Sequence, residues 1–214
     1  MFSFFIMSLM SAQAAPQEYA LNPKGSNLYV TVYKDESTLL SAAAHNHAIR
    51  AKNLTSTLIW DVEDPTACTI KISLKVDELE VDSSQSRALA ASKETDKKIR
   101  KGFEKTISDS DRKAVRKNML SKGQLNSAEH KNISFVSTSC TEKSITGDFT
   151  LRGVTKSITM PARIKVDPEG KIKFSVKGSF PVVSTDFGFK RYSDLGGAVA
   201  NKAKMKVHVS LKAN

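Results

Sequence analysis

The sequence predicts a mainly β chain, an extended antiparallel up-and-down barrel of about eight strands with a helical insertion between two of them. Three observations lead there. From Ile145 to Ile164 apolar residues fall at every second position on both sides of a turn at Gly153, the pattern of a β-hairpin with one apolar face. The runs Thr69–Leu79 and Ala203–Leu211 alternate in the same way. Between Ser83 and Lys131 the period lengthens, with Ile99, Phe103 and Ile107 spaced by four as on a helical face. A large sheet with one greasy face must stack or close on itself. Short turns favour closure, and a sandwich is the alternative.

Taken in order, the chain opens with an apolar run, Phe2–Met10, followed by Ser11-Ala12-Gln13-Ala14. A hydrophobic stretch ending in a small-x-small site reads as a secretory signal over 1–14, cleaved after Ala14, with the domain spanning 15–214. It is too short to span a bilayer. An apolar first strand is the competing reading. No basic residue precedes the run, which places the true start upstream of Met1.

Asn22–Ser26 is a turn. Leu28, Val30 and Val32 then alternate with Tyr29, Thr31 and Tyr33 as the first strand. Ala42–Lys52 and Leu54–Asp61 read as a strand and its return, joined near Lys52-Asn53. In Thr69–Leu79, Ile70, Ile72, Leu74 and Val76 face one way and Thr69, Lys71, Ser73 and Lys75 the other, one dry face and one wet. The helical excursion covers about 84–131. Its second helix is capped by Ser108 or Ser110, with Asp109 and Asp111 at its positive end. That helix carries Val115, Met119 and Leu120 and stops at Gly123. Ile133, Phe135 and Ser137 resume the strand pattern. A turn at Pro168-Glu169-Gly170 leads to a strand with Ile172, Phe174, Val176 and Phe180 on one side, then a loop from Asp186 through Gly197, then the last strand.

Composition bounds the function. Hydrophobic content of 40% over 214 residues suffices for a core. The net charge of +11 favours anionic partners. The basic helical stretch lacks the interleaved aromatics of a nucleic-acid surface, so no nucleic acid is expected and an anionic membrane surface is the better match. Cys68 and Cys140 are the two cysteines. After export to the periplasm or beyond they form one disulfide or remain two buried thiols. No catalytic triad, nucleophile elbow, P-loop or dinucleotide fingerprint is present, and the chain reads as a non-enzyme without cofactor. The rival signal is His45 and His47, two apart on a strand and so on one face, where they could share a metal if His130, His208 or Asp194 converged. Hydrogen-bonded strand histidines are the favoured reading. The metal alternative would open hydrolase or lyase chemistry. A homodimer is left open.

The words of the central hairpin add to its pattern. Residues 147–164, GDFTLRGVTKSITMPARI, resemble the central motif of the YceI family, with Ser157 where that family usually has proline. Asn118-Met119-Leu120, Leu125–Ala128 and Asn132–Phe135 resemble the stretch that precedes it, with Lys131-Asn132 replacing the usual pair ending in proline. The resemblance implies a lipocalin-like barrel with a long apolar interior that binds polyisoprenoids or other amphiphiles outside the cytoplasm. The ligand expected here is an isoprenoid or fatty amphiphile, carried or sequestered without catalysis. The inward candidates are Leu28, Val30, Val32, Ile70, Ile72, Leu74, Val76, Phe135, Phe149, Leu151, Ile158, Met160, Phe174, Val176, Met205 and Val207. Gly147, Ala162 and Gly178 lie on the same runs and leave room. Arg152, Lys156 and Arg191 are candidates for the head group. A filled core without ligand, in a purely structural or stress-related barrel, is the bland alternative.

Overall fold

The computed structural model describes residues 16–213 apart from 23, 62, 63, 65, 67 and 167–171. The expected signal segment with its expected site at Ala14, and the expected turn at 168–170, lie outside the described residues. The fold is mainly β with three helices, as expected. The strands are β1 (Gln17–Tyr19), β2 (Asn27–Val32), β3 (His47–Ala51), β4 (Thr55–Trp60), β5 (Thr69–Lys75), β6 (Leu79–Val81), β7 (Asn132–Cys140), β8 (Ser144–Leu151), β9 (Val154–Val166), β10 (Ile172–Val183), β11 (Ser193–Asp194), β12 (Val199–Ala200) and β13 (Lys204–Ala213). The helices α1 (Ser84–Lys93), α2 (Lys97–Glu104) and α3 (Asp109–Leu120) sit between β6 and β7.

Eleven strands form one antiparallel sheet in the order β1-β4-β5-β7-β8-β9-β10-β13-β2-β3-β6. The strand count exceeds the expected eight partly because two strands are bent and appear twice. β3 runs on into β4, and β5 runs on through a single 3-10 turn at Val76–Glu78 into β6. β3 pairs with β6 through Ile49↔Val81, while β4 pairs with β5 through Thr55↔Ser73. Apart from the short β1 at one edge, the two ends of the sheet are thus the two halves of one bent hairpin, and the sheet curls back on itself. The reversal expected near Lys52-Asn53 is absent, and the chain turns back only after Trp60. The reason is a change of parity. Ala51 is buried on the odd positions of β3, Leu58 and Trp60 on the even positions of β4. Such a slip exchanges the two faces unless the strand bends to keep its apolar side inward.

A second corner lies in β9. Residues 154–161 pair with β8 and 162–166 with β10. Pro161, which has no N–H for a ladder, stands at the changeover. Two glycines expected to leave room are occupied instead. A Cβ at Gly178 would lie 2.2 Å from Pro161 Cγ, and one at Gly147 would lie 2.5 Å from Phe135 Cζ.

Helix caps follow the sequence. Ser83, Asp96 and Ser108 accept backbone N–H groups at the starts of α1, α2 and α3. The last helix ends at Leu120, ahead of Gly123, with Ser121 as its C-cap. The first two cover the outer face of β2 and β3, burying Tyr29, Ala48, Ala90 and Phe103. The third joins the main core through Met119. Cys68, just ahead of β5, and Cys140, the last residue of the neighbouring β7, form a disulfide that closes a 72-residue separation.

Candidate functional site, an apolar cavity with a polar end

The curled sheet encloses a cavity of about 210 Å³. That is many times the ~10–15 Å³ that one water needs on the same measure, so the hollow has room for a guest larger than water. The wall follows from strand alternation. β2 contributes Leu28, Val30 and Val32, β5 contributes Ile72 and Leu74, and β7 contributes Phe135. Phe149 and Leu151 come from β8, Ile158 and Met160 from β9, Met205 and Val207 from β13. Three inward candidates sit elsewhere. Ile70, Val76 and Val176 are fully buried in the core but off the cavity wall. Val76 is diverted by the 3-10 turn at the bend. The side chain of Phe174 lies outside the described residues. Further wall residues were not foreseen. Val115 and Met119 from α3 and Leu125 after it roof one end, and Ile49 enters as the cross-strand partner of Val30. The apolar positions of α3 carried that signal, but nothing local says what a helix face will cover.

Polar wall residues gather at one end. There β10 gives way to a 3-10 turn, Ser184–Phe187, and β13 begins beside it through Val183↔Lys204. Ser184, Lys190, Arg191, Tyr192, Asn201 and Lys202 reach the cavity from this crossing, facing Asn118, Gln124 and His47. Backbone bonds from Lys190 N to Gly123 O (2.8 Å) and from Lys202 N to Tyr33 O (2.8 Å) tie the loops together. Arg191 is ion-paired with Asp35. Neither Lys190 nor Lys202 is in an ion pair among the described residues.

The other two head-group candidates are engaged away from the cavity. Arg152, in a left-handed turn conformation, donates to the Lys122 carbonyl at 3.0 Å. Lys156 pairs with Asp186 at 3.3 Å and lies over the Phe187 ring at 5.6 Å. Both brace the loop after β10.

His47 lines the cavity at its polar end, and its Nδ1 lies 2.7 Å from Asp82. The Asp82 carboxylate is wholly buried and also accepts from Ala48 N and from Arg87 Nη1, each at 2.9 Å. Burial alone would raise its pKa. The His47 contact, the Ala48 N–H and the Arg87 guanidinium together outweigh burial and hold it below the usual carboxylate value. Arg87 further donates to the carbonyls of Asn46, Gly102 and Lys105, clamping α1 and α2 to the sheet. His45 is exposed ahead of the strand, and partial burial, with His47 and Arg87 nearby, lowers its pKa. The third ligands that a metal would need do not converge. His130 lies against Gly153, Asp194 is exposed in β11, and His208 stacks on Tyr29 at 4.4 Å. Among the described residues no three His, Cys, Asp or Glu side chains are grouped to hold a metal.

Residues 19–212 match the family model of the YceI-like domain. The chain belongs to the YceI-like family. It is 30% identical over 206 residues to a UPF0312 protein of Shewanella sp. (strain MR-7), covering 92% of this chain and 87% of that one. A UPF0312 protein of Shewanella sp. (strain ANA-3) is 29% identical over 205 residues, with the same coverage. Two solved structures are similar in fold. BcnA of Burkholderia cenocepacia has a TM-score of 0.60 at 10% identity, covering 91% of this chain and 100% of that one. A polyisoprenoid binding domain from Saccharophagus degradans, implicated in plant cell wall breakdown, has a TM-score of 0.53 at 9% identity, covering 92% and 97%. At such identities the likeness concerns fold alone. Within the YceI-like chain, the hairpin β8–β9 that carries the family's words supplies four wall residues, Phe149, Leu151, Ile158 and Met160. Ser157, where the family's proline usually stands, faces solvent on the opposite side of β9.

Proposed function

We propose that this YceI-like protein is an exported, non-catalytic carrier or sequestering protein for an isoprenoid or fatty amphiphile. The tail lies along the apolar wall and the head sits among Lys190, Arg191 and Lys202. The carrying observation is the cavity itself, apolar over most of its wall with its polar groups at one end. Each Å² of hydrocarbon taken from water contributes about 25 cal/mol, so a long tail binds well with few polar contacts. The polyisoprenoid-binding name of a protein with the same fold supports the choice of ligand. A disulfide between Cys68 and Cys140 suits an oxidising compartment, periplasmic or extracellular.

The test is organic extraction of protein purified from its native host, followed by mass spectrometry. An amphiphile recovered in near-stoichiometric amount, and its loss in Ile158→Trp, is the expected result. Protein that is repeatedly empty and takes up neither a polyprenyl nor a fatty-acyl probe refutes the reading. Export is checked by sequencing the N-terminus of secreted or periplasmic protein, which should begin at Ala15.

A further inference from the structure

Among the described residues, the exposed large hydrophobics are Leu39, Leu40, Val136, Val183 and Leu195. The three leucines belong to two loops at the polar end of the cavity. Leu39 is 88% exposed and Leu195 65%. The loops are bound to each other. Asp35 N donates to Ala200 O and Leu40 N to Ala198 O, each at 2.8 Å, and Lys34 bridges Asn201. Leu39 shares a shallow concavity with Arg191, Gly196 and Gly197. The second loop leads straight into the cavity wall at Tyr192, Asn201 and Lys202.

Leu195 is held outward at a cost. Its φ is +51°, and Gly196 and Gly197 follow at +67° and +95°. The glycines adopt this conformation freely, but a leucine does so only against steric strain between its Cβ and the backbone. Asparagine or glycine would fill the position more comfortably, yet the tip carries an apolar side chain pointing into water. Strain retained at an exposed tip is a pointer to function. Around these leucines lie Lys34, Lys98, Arg191 and Lys202, while Lys190 packs over Gly123 at the same polar end of the cavity. Their acidic neighbours are mostly engaged, Asp35 with Arg191, Glu36 with Lys98, and Asp194 with the Leu195 N–H. Among the described residues Lys190 and Lys202 form no ion pair, although Lys202 lies near enough to Asp35 and Glu36 to help hold their carboxyls below the usual value.

We infer that this rim docks on an anionic lipid bilayer, with Leu39, Leu40 and Leu195 entering the acyl boundary and the lysines meeting the phosphates, so that the cavity opens onto the membrane. Protruding apolar tips ringed by cations are what such an interface takes. The net charge of +11 agrees in sign. The docking surface rests on the amphiphile-binding reading for its purpose but not for its physics, so the two can fail separately.

The experiment uses the full mature chain and sedimentation with two kinds of vesicle, phosphatidylcholine alone and phosphatidylcholine mixed with phosphatidylglycerol. Binding is expected to the mixed vesicles only, and to fade as salt rises. The double variant Leu39→Asp/Leu195→Asp should weaken it by about tenfold or more. Lys202→Gln should weaken it by about fivefold. Neither leucine lines the apolar cavity, so the double variant should unfold at the wild-type temperature and still take up a detergent-dispersed polyprenyl probe. Wild-type protein that ignores both vesicles, or a double variant that binds them undiminished, overturns the inference. So does a double variant whose only change, seen by light scattering, is a dimer becoming a monomer, because the leucines then cover a second copy. Undiminished vesicle binding by a protein that takes up no probe would instead overturn the carrier reading and leave the docking surface standing.

Discussion

Strand β2 has two faces with opposite fates. Leu28, Val30 and Val32 line the cavity. Tyr29, Thr31 and Tyr33, the alternate residues, lie under α1 and α2 in a network where most polar atoms have a partner. The Thr31 hydroxyl donates to the Tyr33 hydroxyl at 3.0 Å and lies 3.0 Å from His208 Nε2. Tyr29 stacks on His208 and donates to the Leu89 carbonyl at 3.4 Å. Burial, with Tyr33 adding, pushes the Tyr29 hydroxyl up to about 12. The contrast is physical. An apolar wall facing a void loses some dispersion contacts but leaves no polar group unsatisfied. A buried polar face has no such latitude, since an unpaired donor or charge costs far more than a missing methyl contact. The barrel is hollow inside because it is held from outside.

The largest test of that contrast is Asp82→Ala. It strands Arg87 and His47 without their carboxylate and is expected to destabilise by about 3–5 kcal/mol in urea unfolding. The same carboxylate predicts acid sensitivity. Its folded pKa lies below the unfolded one, so its stabilisation is present above about pH 4 and is lost as pH falls through the folded value, visible as a drop in urea midpoint that Asp82→Ala lacks. Next, removing the strap with Cys68→Ser/Cys140→Ser should cost about 2–4 kcal/mol, matched by reduction of the wild type. On the hollow side, Leu58→Ala in the filled core should cost about 2–5 kcal/mol, whereas the cavity-facing Ile158→Trp should shift stability by about 1 kcal/mol or less while abolishing probe uptake. A large penalty for Ile158→Trp would mean the wall has no slack. A second pH effect belongs to His208, which burial, with Lys206 adding, pushes down to about 4. The unfolded histidine titrates near 6.5, so the unfolded chain binds the extra proton and stability should decline as pH falls from about 6.5 toward 4. His208→Phe should flatten that slope.

Much of this was legible in the sequence because alternation is a local code. The wall residues of β2, β5, β8, β9 and β13 could be read one strand at a time. What alternation cannot show is a bend. The parity change between Ala51 and Leu58 looked like a turn, since a reversal and a corner both interrupt the pattern. Val76 followed its strand on paper and left it at the 3-10 turn. The buried Asp82 was invisible for another reason. Nothing near it in sequence shows that Arg87 will curl back five residues later, or that His47 will arrive from a strand 35 residues earlier. Arg152 and Lys156 had the right charge and the right neighbourhood, but Lys122 and Asp186 claimed them from loops whose paths only the folded chain fixes.

One consequence of the bent hairpin concerns traffic. Because one bent ribbon lies at both ends of the sheet, inside the short β1 at one of them, its strands cannot part like a zip without breaking the ribbon's own pairing. For the proposed amphiphile, a sideways route through the staves would be shut at that seam. Under the carrier reading, passage would be end-on, along the axis and past the loops, and the width and wetness of that doorway would set how fast cargo changes hands.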